Sequence, residues 1–435
     1  MSDTVNRRDF LTTGAALAGG IAFSSGLFAQ GSQTVNIGII GCGGRGSGAL
    51  RDVLEADRDV KIAAVCDLHE DKAKGTLANL KKRNPNQVTA TNETVFHGLD
   101  GYKELLALPN VNYVILATPP GFRPYHLEAA VEAGKNIFTE KPVGVDVAGI
   151  RRVLAAAKKS QAKGLKIAAG TQRRHQAGYV ETMKRLHDGE YGDILSARVY
   201  WNGNTPWFHK REKGMTDAQY QLHNWYHFVW LCGDHIVEQH VHNLDVANWA
   251  MKANPVKVSG MGGRATRPVG DPKEVGNIWD HFALEYEYPN GVIVESFCRH
   301  IDGAEGNVSE NFVGTKAKVH TQPGIYLANG KEIAPGAETN PYVQEHIDLL
   351  KAIRDNKPMN ELEQVANSTF VAVLGRMAAY SGKTMKWDEV LNGKELYKTT
   401  WVEDTFPKDF NLNMQDLPVD PVPVPGKWRP RTSRA

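Results

Sequence analysis

Apolar and polar positions change their period several times along the chain, and each change predicts an element. Residues 35–40 of TVNIGIIGCGGRG form an apolar run interrupted only by Asn36, as expected of a strand buried on both faces. A helical pattern starts at about Ser47, KIAAVCD predicts a second strand ending at Asp67, and VNYVILATPP predicts a third. YHLEAAVEAGK then puts Leu127, Val131 and several alanines on one helical face, Gly134 marks its stop, and NIFTEKP is the next strand. Short strands alternating with helices predict a parallel, doubly wound sheet over residues 34–160. Farther on, YGDILSARVYW alternates as a strand. DHFALEYEYPNGVIVESFCRH reads as two antiparallel strands joined at Pro289, Asn290 and Gly291. Residues 161–403 are therefore expected to form a second α+β domain around an open, mostly antiparallel sheet, with helices at about 342–356 and 362–382. The tail, 404–435, is proline-rich and expected to be irregular, with a tryptophan able to dock.

Composition narrows the class. The chain has 435 residues, 41% of them hydrophobic, with 51 basic against 49 acidic side chains, so no charge excess points to nucleic acid. Four cysteines without CxxC spacing speak against a zinc ribbon or a disulfide framework. The start is different in kind. Arg7 and Arg8 precede Asp9, Phe10 and Leu11, then a Gly- and Ala-rich apolar run and the small residue Ala29. Residues 1–30 resemble a twin-arginine export signal, which implies a periplasmic protein without a membrane span once exported.

Gly41, Gly43 and Gly46 give GxGxxG between the first strand and its helix. The pattern calls for a tight turn, a close backbone approach to pyrophosphate, and close helix–strand packing, with the phosphates on the helix N-terminus. Asp67, roughly 20 residues farther, is placed to accept from the ribose hydroxyls. The arrangement predicts a Rossmann dinucleotide site. Asp67 would repel a 2′-phosphate, so NAD is expected over NADP; Arg45 is the nearby cation that would make NADP possible.

GIIGCGGRG, then ATPP, then AAVEAGKNIFTEKPVGVD resembles the Gfo/Idh/MocA family, typified by glucose–fructose oxidoreductase and inositol dehydrogenase. The resemblance runs from about Thr34 to beyond Asp245. It implies that Thr118, Pro119, Glu140, Lys141 and Gln172 lie against the cofactor, with Lys141 also binding the reacting hydroxyl. Arg173 follows Gln172 on the side of the substrate.

GDHIVEQHVHNLDVANW, residues 233–249, holds three histidines, a glutamate and two aspartates. On a helix, His235, Glu238, His242 and Asp245 share one stripe, while His240 lies roughly 200° from His242, a poor chelate. No metal is therefore expected. In the resembling family this segment carries DxGxHxxD, with the first Asp and the His catalytic. Glu238, His242 and Asp245 stand at those places, and His240 replaces the small residue. His242 is expected to take a carbinol proton with support from Glu238, and Asp245 to bind substrate. Trp207, in the loop-like NGNTPWFHK, is the candidate for stacking on a sugar ring.

The expected activity is hydride transfer between a secondary alcohol of a sugar, cyclitol or glycoside and a nicotinamide cofactor. Export adds a condition, because free NAD is scarce outside the cytoplasm and the cofactor must be tightly bound. A redox-neutral glycosidase working through a transient keto-sugar satisfies the same condition, although the GDLYPTHG-like segment of one such group is absent. A non-catalytic sugar- or nucleotide-binding module is the third reading, disfavoured by an acid–base pair. The open sheet is expected to pair subunits in a homo-oligomer.

Overall fold

The computed structural model describes residues 34–336, 339–393 and 406–429, so residues 1–30, read above as resembling an export signal, lie outside the described residues. Six parallel strands form the first sheet: β1 (Asn36–Ile40), β2 (Lys61–Asp67), β3 (Val95–His97), β4 (Tyr113–Leu116), β5 (Asn136–Thr139) and β6 (Ile167–Ala169). Their order is β3-β2-β1-β4-β5-β6, the Rossmann order, with the topological switch between β1 and β4. The α/β fold expected from the alternation is therefore present. Two strands escaped the pattern: β3 and β6 have three residues each, too few to set a period, and none in β3 is buried. The first lobe also runs past residue 160, because β6 completes its sheet. Its helix Gly44–Ala56 begins three residues before Ser47, since glycines carry no amphipathic signal yet fit the first turn.

The second sheet has nine strands: β7 (Ile194–Gly203), β8 (Lys257–Gly263), β9 (His281–Glu287), β10 (Ile293–His300), β11 (Asn307–Gly314), β12 (Lys318–Gln322), β13 (Ile325–Ala328), β14 (Lys331–Glu332) and β15 (Met385–Lys386). All its pairings are antiparallel except β7 with β10. Alternation is strict on β10, where Val294, Ser296, Cys298 and His300 face the core. The outer face keeps half-buried Tyr200 stacked on Phe297 at 5.5 Å and Met261 exposed.

Helices Pro341–Arg354 and Leu362–Ser381 return to the first lobe. Leu349 and Leu350 join the core of β1 and β2, and Leu362 and Val365 that of β4 and β5. Arg376, fully buried, donates to the carbonyls of Val145 at 2.8 Å and Gly233 at 3.0 Å. It thereby ties the loop after EKP to the start of the histidine segment. The strap 406–429 contains no helix or strand, and it too joins the parts. Phe406 and Phe410 pack on Phe122 of the first lobe, and Leu417 is buried against Tyr220, Phe228 and Trp230. Trp279 donates to the Pro423 carbonyl at 3.2 Å, and Trp428 docks edge-on against Tyr380.

Candidate active site

The glycine motif forms a cradle. Gly41 sits at φ +101°, and a Cβ there would lie 2.7 Å from the Ala117 carbonyl carbon. A Cβ on Gly46 would stand 1.9 Å from the Gly41 oxygen, so helix and strand could not pack. At Gly43 and Gly44 the space is open. Free backbone N–H groups at a helix start beside open space suit a pyrophosphate. Asp67 closes the other end of the cleft, accepting from the N–H of Cys42 at 2.8 Å and of His69 at 2.9 Å.

Arg45 lines the same cleft but is committed elsewhere. It forms ion pairs with Glu140, with Asp52 at 3.1 Å and with Glu345 at 3.6 Å, and its guanidinium lies over the Tyr342 ring. Glu140 is thus a partner of Arg45. Glu345 is fully buried, and burial together with Glu140 pushes its carboxyl well above the usual range.

Lys141 leaves the end of β5 and meets the second lobe. Its Nζ donates to the Glu238 carbonyl at 2.6 Å and lies 3.4 Å from Glu238 Oε1. Glu238 Oε2 is buried without a hydrogen-bond partner. Burial raises the Glu238 carboxyl to about 7, against the opposing pull of Lys141 and Arg123. His242 shares this cavity of about 630 Å³. Its ring stacks on Trp201 at 5.7 Å, and burial with Lys141, Arg173 and Arg45 nearby pushes its pKa well below 6.5. No carboxylate among the described residues hydrogen-bonds it; Glu238 engages Lys141 instead.

The histidine segment is not one helix. His235–Glu238 and Val241–Met251 are separate helices, interrupted at Gln239 and His240. The first of them is capped by Asp234, at φ +74°, whose carboxylate accepts from the N–H groups of His235 at 2.6 Å and Trp279 at 2.7 Å. Two expectations are corrected. The uniform stripe does not exist: His235 turns into the core, its Nδ1 2.9 Å from Asp234 and its ring beside His300. Asp245 does not reach the cavity, because Arg174 grips it with two bonds of 2.8 and 2.9 Å and Gln364 and Ser368 donate to it as well. His240 bonds Ser296 at 2.7 Å, and no group of three or more potential metal ligands occurs among the described residues.

Thr118, Pro119, Gln172 and Trp207 line the cavity, with Gln172 donating to the Tyr342 hydroxyl at 3.4 Å. Arg173 lines it too, although its guanidinium is bound by Glu310, which also accepts from Asn243, Tyr179 and Thr321. Sequence reasoning missed Arg123 and Tyr342. Arg123, nearly inaccessible, donates to the carbonyls of Thr118 and Glu140 and so fixes two strand ends beside Lys141. An arginine two residues ahead of the predicted helix carries no signal of that burial. Tyr342 arrives from far along the chain.

Two family models match this chain: "Oxidoreductase family, NAD-binding Rossmann fold" over residues 35–167, and "GFO/IDH/MocA C-terminal domain" over 179–320. The chain belongs to the Gfo/Idh/MocA family. Its first lobe is the family's NAD-binding Rossmann domain, and the cradle fits that cofactor. Similar proteins include an inositol 2-dehydrogenase of Gluconacetobacter diazotrophicus, 28% identical over 44% of this chain and 54% of that one. Inositol 2-dehydrogenase 1 of Saccharopolyspora erythraea is 28% identical over 55% and 63% of the two chains. This chain thus spans little more than half the length of these relatives. A glycosyl hydrolase family 109 protein of Shewanella putrefaciens is 23% identical over 46% of this chain and 40% of its own. The scyllo-inositol dehydrogenase of Lactobacillus casei, solved with NAD(H) and scyllo-inositol, shares the fold. It has a TM-score of 0.62 at 19% identity, covering 81% of this chain and 99% of that one.

Proposed function

We propose that the protein oxidises or reduces a secondary alcohol of a sugar, cyclitol or glycoside with NAD. One observation carries the reading: Lys141 from the first lobe and Glu238 and His242 from the second line a single cavity that continues into the glycine cradle. Bound nicotinamide supplies the hydride acceptor or donor. Lys141 donates a hydrogen bond to the reacting oxygen and favours its anionic form. His242, neutral across the physiological range, accepts the hydroxyl proton. Glu238, with a proton affinity near neutrality and an unpaired oxygen, is the group able to receive it next. Trp201 and Trp207 offer flat faces to a carbohydrate ring. Asp67 favours NAD, and Lys72 at the same end of the cleft is the cation that would admit NADP.

The same unpaired Glu238 oxygen supports a second reading, in which oxidation is transient and a glycosidic bond is broken without net redox change. Incubation with cyclitols, sugars and aryl glycosides separates the two. Reduced nicotinamide accumulating in step with a keto product supports the first reading, and aglycone released without it supports the second. Neither product from any substrate sinks both.

Residues 1–30 support export to the periplasm, and hence a tightly held cofactor. Cell fractionation and analysis of protein purified without added NAD test these two points. The uncovered face bearing Tyr200, Phe297 and Met261 supports pairing of copies through the second sheet, and light scattering reads the assembly.

A further inference from the structure

Trp207 is the only exposed tryptophan among the described residues, with 42% of its surface accessible. It sits in 204–216, a connection without helix or strand between β7 and the helix Asp217–His223. Such a segment ordinarily moves, and ordering it costs conformational entropy. Here the backbone is pinned at the indole and after it by buried polar side chains, and before it by the exposed carboxylate of Asp302. His227, 3% exposed, lies with Nε2 2.7 Å from the Trp207 carbonyl, and burial lowers its pKa to about 4, so it donates there as the neutral ring. Asn224, wholly buried, accepts from the His209 N–H at 2.8 Å and donates to the His209 carbonyl at 3.0 Å. Asp302 accepts from the Thr205 N–H at 2.9 Å.

The ring itself is supported from beneath. His209 stacks against it at 5.1 Å and 29°, and Trp225 meets it edge-on at 6.1 Å. The indole nevertheless remains accessible and lines the cavity that holds Lys141, Glu238 and His242. Folding alone does not explain such a placement, because the core gains little from a tryptophan left largely in water.

We propose that Trp207 is the platform of an outer subsite, which takes the second ring of a glycosidically linked substrate while the first ring lies against Lys141, Glu238 and His242. The recognised chemistry is a flat ring with an apolar face, either a pyranose or an aromatic aglycone, stacked on indole. The proposal rests on the functional reading above only for the fate of the first ring.

The test uses the full-length, NAD-loaded protein. Calorimetric titration compares the methyl glycoside, the 4-nitrophenyl glycoside and a disaccharide of glucose, galactose, mannose and N-acetylglucosamine. Two-ring members of the series that binds are expected to bind at least about tenfold tighter than the methyl glycoside. Trp207→Ala should erase that preference, and Trp207→Tyr should keep most of it, with unchanged melting temperatures confirming that both fold. Preference for the disaccharide or for the nitrophenyl glycoside tells which ring the platform takes. The proposal is overturned if no two-ring compound outbinds its methyl glycoside, or if Trp207→Ala weakens both alike. It falls equally if that variant loses NAD affinity while ring preference stays. Turnover is followed in the same samples. A two-ring preference without any product leaves the platform standing and sinks the oxidoreductase reading alone.

Discussion

Glu238 and Asp245 are carboxylates seven residues apart on one stretch of chain, and both are buried, at 7% and 1% exposure. Their surroundings are opposite. Arg174, Gln364 and Ser368 saturate Asp245, whereas Glu238 has one oxygen near Lys141 and the other without a partner. Buried polar groups are almost always satisfied, so a carboxylate left open onto a cavity marks the place where a ligand completes the set. Burial alone does not distinguish the two residues; the unused acceptor does.

The comparison can be broken at several points. Lys141→Met should lower kcat/KM by about a thousandfold, as loss of a charge-assisted contact made to the reacting oxygen does. Steady-state kinetics on the best substrate checks this, and a loss under tenfold would remove the lysine from the chemistry. Asp245→Ala should act on folding instead. Stranding Arg174 without its partner is expected to cost about 3 kcal/mol, read as a lowered denaturant midpoint. His242→Gln should cost at least about a hundredfold in kcat with little change in melting temperature.

The pH profile sharpens the contrast. The Glu238 carboxyl lies near 7, raised by burial, so it loses its proton as pH climbs through that value. The rate of alcohol oxidation should therefore rise through pH 7, and Glu238→Gln should flatten that limb; an unmoved limb assigns it to another group. Asp67→Ala should have the smallest effect, narrowing the preference for NAD over NADP by about tenfold in cofactor titrations.

Much of this was legible in the sequence. GxGxxG between an apolar run and a helix, with an acid roughly 20 residues on, defines a local structure whose geometry follows from glycine. Period marked four strands of the first sheet and three of the second, and the family resemblance supplied the division into two domains. The histidine segment was harder, because helical spacing assumes an unbroken helix. Nothing in GDHIVEQH signals that Asp234 takes a positive φ at the start of the first helix, or that the helix breaks at Gln239 and resumes after His240. Asp245 looked like a substrate ligand by position, and only its neighbours Arg174 and Ser368, which come from distant parts of the chain, show that its acceptors are occupied. Arg123 and Tyr342 were invisible for the same reason: tertiary contact, and no local pattern, gives them their place.

The strap has a consequence for the order in which the molecule is completed. Phe406, Phe410 and Leu417 leave the ribosome after every surface they cover, including Phe122 beside the nucleotide cleft. A nascent chain can form its glycine turn early, but the wall around that cleft is sealed only when translation has passed residue 417.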